Sequence, residues 1–219
     1  MVNVLIRNCI KQDEIGILNI CYHTGFLGED LEDKDIFKDI KLFGYLFCIY
    51  YLHYEIENCF VAEDITTNKI VGYIIGTMNT KKQRNLFLLR MGGRIFVRIL
   101  TYTWWKYPET FKTILFFIKN AGPNSHTENL YDKFPAHFHI NTSPQYQHMG
   151  IGSKLIKRFE KHAKENQIKG IHLETTNMNF KAIPFYSKNE YAIIYKNKSV
   201  LWEGINDSSS MIFCKKLGG

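Results

Sequence analysis

The chain has 219 residues, 45% of them apolar and 22% charged, which is enough apolar material for one large α/β unit with a sizeable core. Its net charge is +7, but the lysines are scattered along the chain, so the charge alone does not point to a nucleic-acid partner. The five cysteines, Cys9, Cys21, Cys48, Cys59 and Cys214, are odd in number, widely spaced and without a CxxC pair, a usage that argues against a disulfide framework and fits reduced thiols in a cytoplasmic setting.

Residues 1–8 have no apolar signal core behind a basic region, and they read as a first strand at about 3–8. A helix is expected over about 12–24, with Ile15, Ile17, Leu18 and Ile20 as its apolar side. A second helical region, about 34–54, carries a broad aromatic face that includes Phe43, Phe47, Tyr50 and Tyr51 and leads into Tyr54 and Glu55. Residues 59–64 and 69–77 read as an antiparallel pair joined by 65–68.

The stretch 79–133 is longer than a simple connection in a compact domain requires, and connections of that kind are often functional. Within it, 86–105 is apolar but interrupted by Arg90, Arg94 and Arg98 at four-residue intervals. Three arginines on one face argue for an amphipathic helix and against a membrane span. A lid, a partner surface and shallow membrane contact are all open readings.

Residues 134–142 then have the alternating, β-branched and aromatic character of a strand, followed by a turn at Ser143 and Pro144. The run Gln147-His148-Met149-Gly150-Ile151-Gly152 follows, and beyond it Ile151, Leu155, Ile156, Phe159 and Ala163 recur at helical spacing opposite a largely basic face of Lys154, Lys157, Arg158, Lys161 and Lys164. The first N–H groups of a helix lack internal partners and carry partial positive charge, so an anion belongs at this junction. Glycines at 150 and 152 let a diphosphate approach the main chain. A dinucleotide fingerprint would need a third glycine where Leu155 stands, and a P-loop would need Gly-Lys-Ser/Thr after a longer spacer.

A further strand is read at 170–176, followed by Asn179, Ala182, Phe185 and Tyr186, with Asn179 as a helix N-cap. Pro184 should remove one hydrogen bond from a helix that starts at this cap, and Glu190 stands where a helix would commonly stop on glycine, with Asn189 beside it able to take the left-handed role.

Together, Gln147, Gly150 and Gly152 after a strand, and the Asn179–Ala182–Phe185–Tyr186 spacing, resemble the GNAT superfamily of acyl-CoA-dependent N-acetyltransferases. The resemblance extends over about 2–215 and is sharp between about 134 and 191. It implies an α/β (α+β) GNAT fold in which a mixed central sheet of about six to seven strands is flanked by helices, with a helical insertion before the fourth strand. One domain would span 1–219, with 79–133 as the insertion, read as a cover over the acceptor side. Acetyl-CoA is the implied co-substrate. Gln147, His148, Met149, Gly150, Ile151, Gly152 and Ser153 would hold its phosphates, with Lys154, Lys157 and Arg158 as further phosphate candidates. Asn141 and Thr142 would mark the strand whose N–H groups meet the oxyanion. Asn179 and Ala182 would flank the pantetheine arm, and Tyr186 would protonate the leaving thiolate.

The base that takes the amine's proton is less sharply indicated. Several family members carry one on the fourth strand, but the common glutamate position is Ala136 here. His139, His137 and Glu174 are the candidates, in that order, a neutral histidine being a suitable acceptor near pH 7. A His-x-His pair without an evident third ligand does not call for zinc, and no metal is expected. Tyr51, Tyr54 and Glu55 are weaker candidates for substrate contact.

The expected activity is transfer of an acetyl group to a primary amine of a small molecule or peptide, by direct attack in a ternary complex. A non-catalytic CoA-binding sensor or interaction module on the same fold is the alternative. No nucleic acid and no membrane span are expected, the location is expected to be cytoplasmic, and a homodimer is one option for an otherwise open oligomeric state.

Overall fold

In strand β3 (Lys69–Thr77) every residue from Val71 to Thr77 is buried. A strand covered on both faces reads as a near-continuous apolar run, which Val71-Gly-Tyr-Ile-Ile75 supplies. In the computed structural model, which describes residues 3–120, 128–198, 202, 205 and 207–218, seven strands form one mixed sheet in the order β1-β2-β3-β4-β5-β7-β6. The others are β1 (Val4–Asn8), β2 (Phe60–Asp64), β4 (Ala136–Thr142), β5 (Gly170–Thr176), β6 (Ala192–Lys198) and β7 (Ser209–Lys216). All neighbours are antiparallel except β4 and β5, which are parallel.

One face of the sheet is covered by α8 (Ile151–Glu165), whose Leu155, Ile156, Phe159 and Ala163 pack with Ile74, Phe138 and Phe213. The other face carries α1 (Glu14–Tyr22), α2 (Ile40–Phe47) and α3 (Ile49–Tyr54), which bury Ile17, Leu42, Phe43 and Tyr50 in a second cluster with Tyr73 and Ile75. The sequence pattern over 34–54 is therefore two helices. They break at Cys48, whose φ of −135° leaves helical geometry, and both then turn apolar side chains inward. In α1 the expected Ile17, Leu18 and Ile20 turn inward, joined by Cys21 and Tyr22, while Ile15 is exposed.

The insertion is helical where it is described. Asn79 caps α4 (Thr80–Arg98) by accepting from Lys82 N–H, and a wider π turn over Ile99–Thr103 leads into α5 (Trp104–Lys106). Helices α6 (Pro108–Asn120) and α7 (Glu128–Lys133) follow. The part of the insertion at 121–127 lies outside the described residues. Arg98, far from solvating a free face, pairs with the buried Asp39, which also accepts from Thr103 Oγ1 at 2.6 Å. Helix α4 thus packs on α2 and α3 through Met91 and this ion pair, as a cover over the second cluster.

Two local expectations are corrected. Helix α9 (Ala182–Lys188) begins after Asn179, so Pro184 falls in its first turn, where its missing N–H has no helical acceptor to lose. Glu190 itself takes the left-handed conformation, at φ +67°, while Asn189 stays at −91°. Glu160 on α8 pairs with Lys215 on β7 at 3.0 Å, which ties the helix to the sheet.

Candidate active site

The glycine turn has the geometry that the sequence suggests, for two different reasons. Gly150 is the residue before α8 and adopts φ +78°, a backbone state that side chains disfavour, and a Cβ there would meet open space. Gly152 has ordinary helical geometry, but a Cβ on it would lie 2.9 Å from the Phe185 ring. Gly152 therefore allows α8 and α9 to touch, which brings the second motif against the first. His148 also has positive φ, at +62°.

The first bond into α8 runs from Lys154 N–H to the Gly150 carbonyl, so Ile151, Gly152 and Ser153 present N–H groups that no helical carbonyl can reach. His148 and Met149 are exposed, Ile151 turns its side chain into the core and Ser153 is half-buried. What this junction offers an anion is main-chain N–H and the positive end of a 15-residue helix. Gln147 does not point there; its Nε2 donates to the Thr142 carbonyl at 3.3 Å and ties the turn to the end of β4. Arg158 is engaged with Asn8 at 3.1 Å and lies over Phe60, whereas Lys154 and Lys157 are exposed.

Beside this turn the sheet opens. The pairing of β4 with β5 is limited to Ala136 with Ile171 and His137 with His172, so the rest of β4, through Asn141 and Thr142, has no β5 partner. Asn141 Nδ2 donates to Tyr73 Oη at 2.8 Å, which fixes that side chain and leaves the strand's main chain along the gap. On the β5 side, Asn179 Oδ1 accepts from Ala182 N–H at 3.1 Å in the turn ahead of α9, whose N-cap position is Lys181. Tyr186 is buried against Phe185 and Phe213, and among the described residues its hydroxyl makes no hydrogen bond. Burial pushes its phenol above the ordinary value, so it carries its proton.

His137 and His139 share the β4 face turned away from α8, and both meet Tyr51 of α3. Tyr51 Oη lies 2.7 Å from His137 Nε2 and 3.2 Å from His139 Nε2, and Thr80 Oγ1 lies 2.7 Å from His137 Nδ1. With Thr80 Oγ1 donating to the Pro135 carbonyl at 2.8 Å, the chain has one direction. His137 Nδ1–H donates to Thr80, Tyr51 Oη–H donates to His137 Nε2, and His139 Nε2–H donates to Tyr51, leaving His139 Nδ1 as the open acceptor.

Burial pushes the Tyr51 phenol up, so it stays a donor. Burial, together with the neighbouring His139 and His172, holds His137 well below its ordinary value. His139 is held down to about 4 by desolvation and by His172, although the residue is partly open to solvent, which opposes the shift. His172 is also held to about 4 by burial, with its Nδ1 donating to the Phe134 carbonyl at 2.7 Å. All three rings are therefore neutral at pH 7.

Glu174 lies on the same side of β5 as His172, but it is exposed and accepts from Ser210 on β7, on the strand's far side from β4. Tyr51 and Thr80 complete the histidine chain and were not legible as its members. Their separations from His137, 86 and 57 residues, leave no local pattern. Tyr54 and Glu55 line a cleft of about 320 Å³ between α3, the end of β3 and α4, with Thr77, Lys82 and Arg90 on its walls. Burial raises Glu55 above the usual carboxylate range. This cleft shares no lining residue with the glycine turn; His162 of α8 and Asn166 just after it line the cleft from the opposite end of that helix.

Residues 120–191 match the model of the acetyltransferase (GNAT) family. The fold is similar to that of SsHAT, at 20% identity over 99% of this chain and 100% of that one, with a TM-score of 0.67. It is similar also to an N-acetyltransferase from Staphylococcus aureus Mu50, at 13% identity over 99% of each chain and a TM-score of 0.60. The yncA protein from Salmonella typhimurium, solved with its cofactor acetyl-CoA, matches at 11% identity over 99% of this chain and 95% of its own, with a TM-score of 0.56. The glycine turn and the open β4–β5 junction both lie within the segment that matches the GNAT family model, and the seven-stranded mixed sheet around them has the fold of these solved structures.

Proposed function

We propose that the protein moves the acetyl group of acetyl-CoA to a primary amine of a small molecule or peptide by direct attack within a ternary complex. The observation that carries this reading is the junction itself, where unpartnered N–H groups at the start of α8 stand beside the stretch of β4 that has no β5 partner. The coenzyme phosphates fit the former, and the thioester fits the gap, where main-chain N–H groups of β4 meet the carbonyl oxygen as it gains charge. Direct attack is supported by the cysteines: all five are buried, and none belongs to the glycine turn, to β4 or to the Asn179–Tyr186 segment.

In this reading the amine nitrogen bonds to the carbonyl carbon, the C–S bond breaks, and Tyr186 gives its proton to the departing thiolate. His139 Nδ1 takes the proton shed by the nitrogen, and both groups are restored by exchange with solvent. A ring of such low basicity does not strip an alkylammonium of pKa about 10.4. It acts after attack, when bonding to the carbonyl has made the nitrogen acidic. The rate therefore rises with pH as the free amine fraction grows, with no step near 6.5.

Release of free CoA thiol from acetyl-CoA across a panel of amines tests the assignment. His139→Ala and Tyr186→Phe are each expected to lower kcat by about 100-fold or more, with little change in the KM for acetyl-CoA. Intersecting initial-rate lines are expected for a ternary complex. Unchanged turnover in Tyr186→Phe removes the acid, unchanged turnover in His139→Ala removes the base, and parallel lines replace direct attack with an acyl-enzyme.

A further inference from the structure

The segment 80–106, comprising α4, the π turn and α5, contains seven lysines and arginines and no aspartate or glutamate. Its inner side is fastened to the domain by Met91, by Arg98 on Asp39 and by Arg90 over the Tyr54 ring at 4.4 Å. Its outer side is apolar. Leu88 and Leu89 are 74% and 79% exposed, and Phe96, Leu100, Trp104 and Trp105 are each more than half exposed. Lys82 on α4 and Lys106 on α5 are exposed, while Lys81 pairs with Asp132 at 2.7 Å, Arg84 lies over the Tyr131 ring and Arg94 lies 3.2 Å from His53 Nδ1.

We propose that this face docks on an anionic membrane surface, lying parallel to it. Apolar outer positions, exclusively basic charge and two tryptophans at one end are the features of a helix that rests at the boundary between headgroups and acyl chains. A basic segment with no acidic residue is complementary to anionic headgroups, whereas a protein surface of mixed charge would not select for that composition. Crossing the bilayer is a different matter, and among the described residues no helix is long and apolar enough to do so. Lys82, Leu86 and Arg90 of the same helix line the cleft beside Glu55, so docking places that cleft next to the lipid.

Cosedimentation of the full chain with vesicles tests the proposal, using phosphatidylcholine alone and phosphatidylcholine mixed with phosphatidylserine. Binding is expected only with phosphatidylserine, and it should weaken as salt screens the headgroups. The double variant Leu89→Asp, Phe96→Asp should bind about tenfold more weakly or worse, with its melting temperature and CoA-thiol release unchanged. Should that variant fail to fold, Lys82→Glu with Lys106→Glu leaves the apolar stripe intact and is expected to lose the phosphatidylserine preference. No binding to either vesicle, equal binding to both, or binding that neither variant reduces overturns the proposal. Concentration-dependent dimerisation that the aspartate variant abolishes, without vesicle binding, also overturns it and assigns the face to a second copy of the chain.

Discussion

The two faces of β4 come from alternate residues of one seven-residue strand, yet they are held by opposite kinds of chemistry. Ala136 and Phe138 are buried in the apolar cluster under α8, with Ile140 packed at its margin. His137 and His139 form a directional chain with Tyr51 and Thr80. Close packing needs only apolar shape and approximate volume, and its energy is spread over many contacts. A hydrogen-bonded chain depends on each member, and burying it incompletely is costly. The apolar face should therefore control whether the protein folds, and the polar face should control pH response and rate.

The largest effect is expected on the apolar face. Phe159→Ala removes a fully buried ring that packs edge-on to Phe138 at 5.4 Å, and urea denaturation should show a loss of about 3–5 kcal/mol. A loss below about 1 kcal/mol would mean that this face collapses around the cavity and that the contrast is wrong.

Next is the pH dependence of stability on the polar face. His172 is held to about 4 in the folded protein, below its ordinary 6.5, so the unfolded chain binds the proton more readily. Its contribution is complete above pH 6.5 and is lost as pH falls toward 4, a span worth about 3 kcal/mol. Urea denaturation of the protein and of His172→Phe at several pH values in that window should show a flatter dependence in the variant. Equal slopes would show that the ring titrates alike in the folded and unfolded states.

The smallest effect is expected from Tyr51→Phe, which keeps the ring packed against Tyr50 but removes the hydroxyl that joins the two histidines. One neutral hydrogen bond is worth about 1 kcal/mol, so kcat should fall by about fivefold while the KM for acetyl-CoA stays unchanged. Unchanged kcat together with an unchanged pH profile would reduce Tyr51 to a packing residue.

The two faces differ in the same way in how far the sequence discloses them. The glycine turn is legible because Gly150 answers a local demand, a left-handed residue ahead of a helix whose apolar spacing is plain. The central hairpin and the strand–turn–helix order follow from short-range patterns as well, and the amphipathic character of 86–105 follows from its arginine spacing. Tyr51 is different: among a run of aromatics, only the tertiary packing of α3 over β4 distinguishes it from Tyr50 and Tyr54. The exposure of Ile15 on α1 and the break at Cys48 have the same origin, since the neighbouring helices decide which side is covered. Gly152 is an intermediate case, correctly marked as a glycine position, but with Phe185 as the neighbour that requires it.

The short joint between β4 and β5 bears on how the molecule opens as well as on what it binds. Only two residue pairs link β1–β4 to β5–β7, while every other neighbouring pair of strands is joined over five or more. Such a sheet is cooperative within each half and weakly stitched across the middle, so sub-global opening should begin there and leave both halves intact. A coenzyme lodged in the gap would span the two halves. In hydrogen exchange, protection would then spread outward from the seam to amides the ligand never touches, making the donor substrate a brace for the fold.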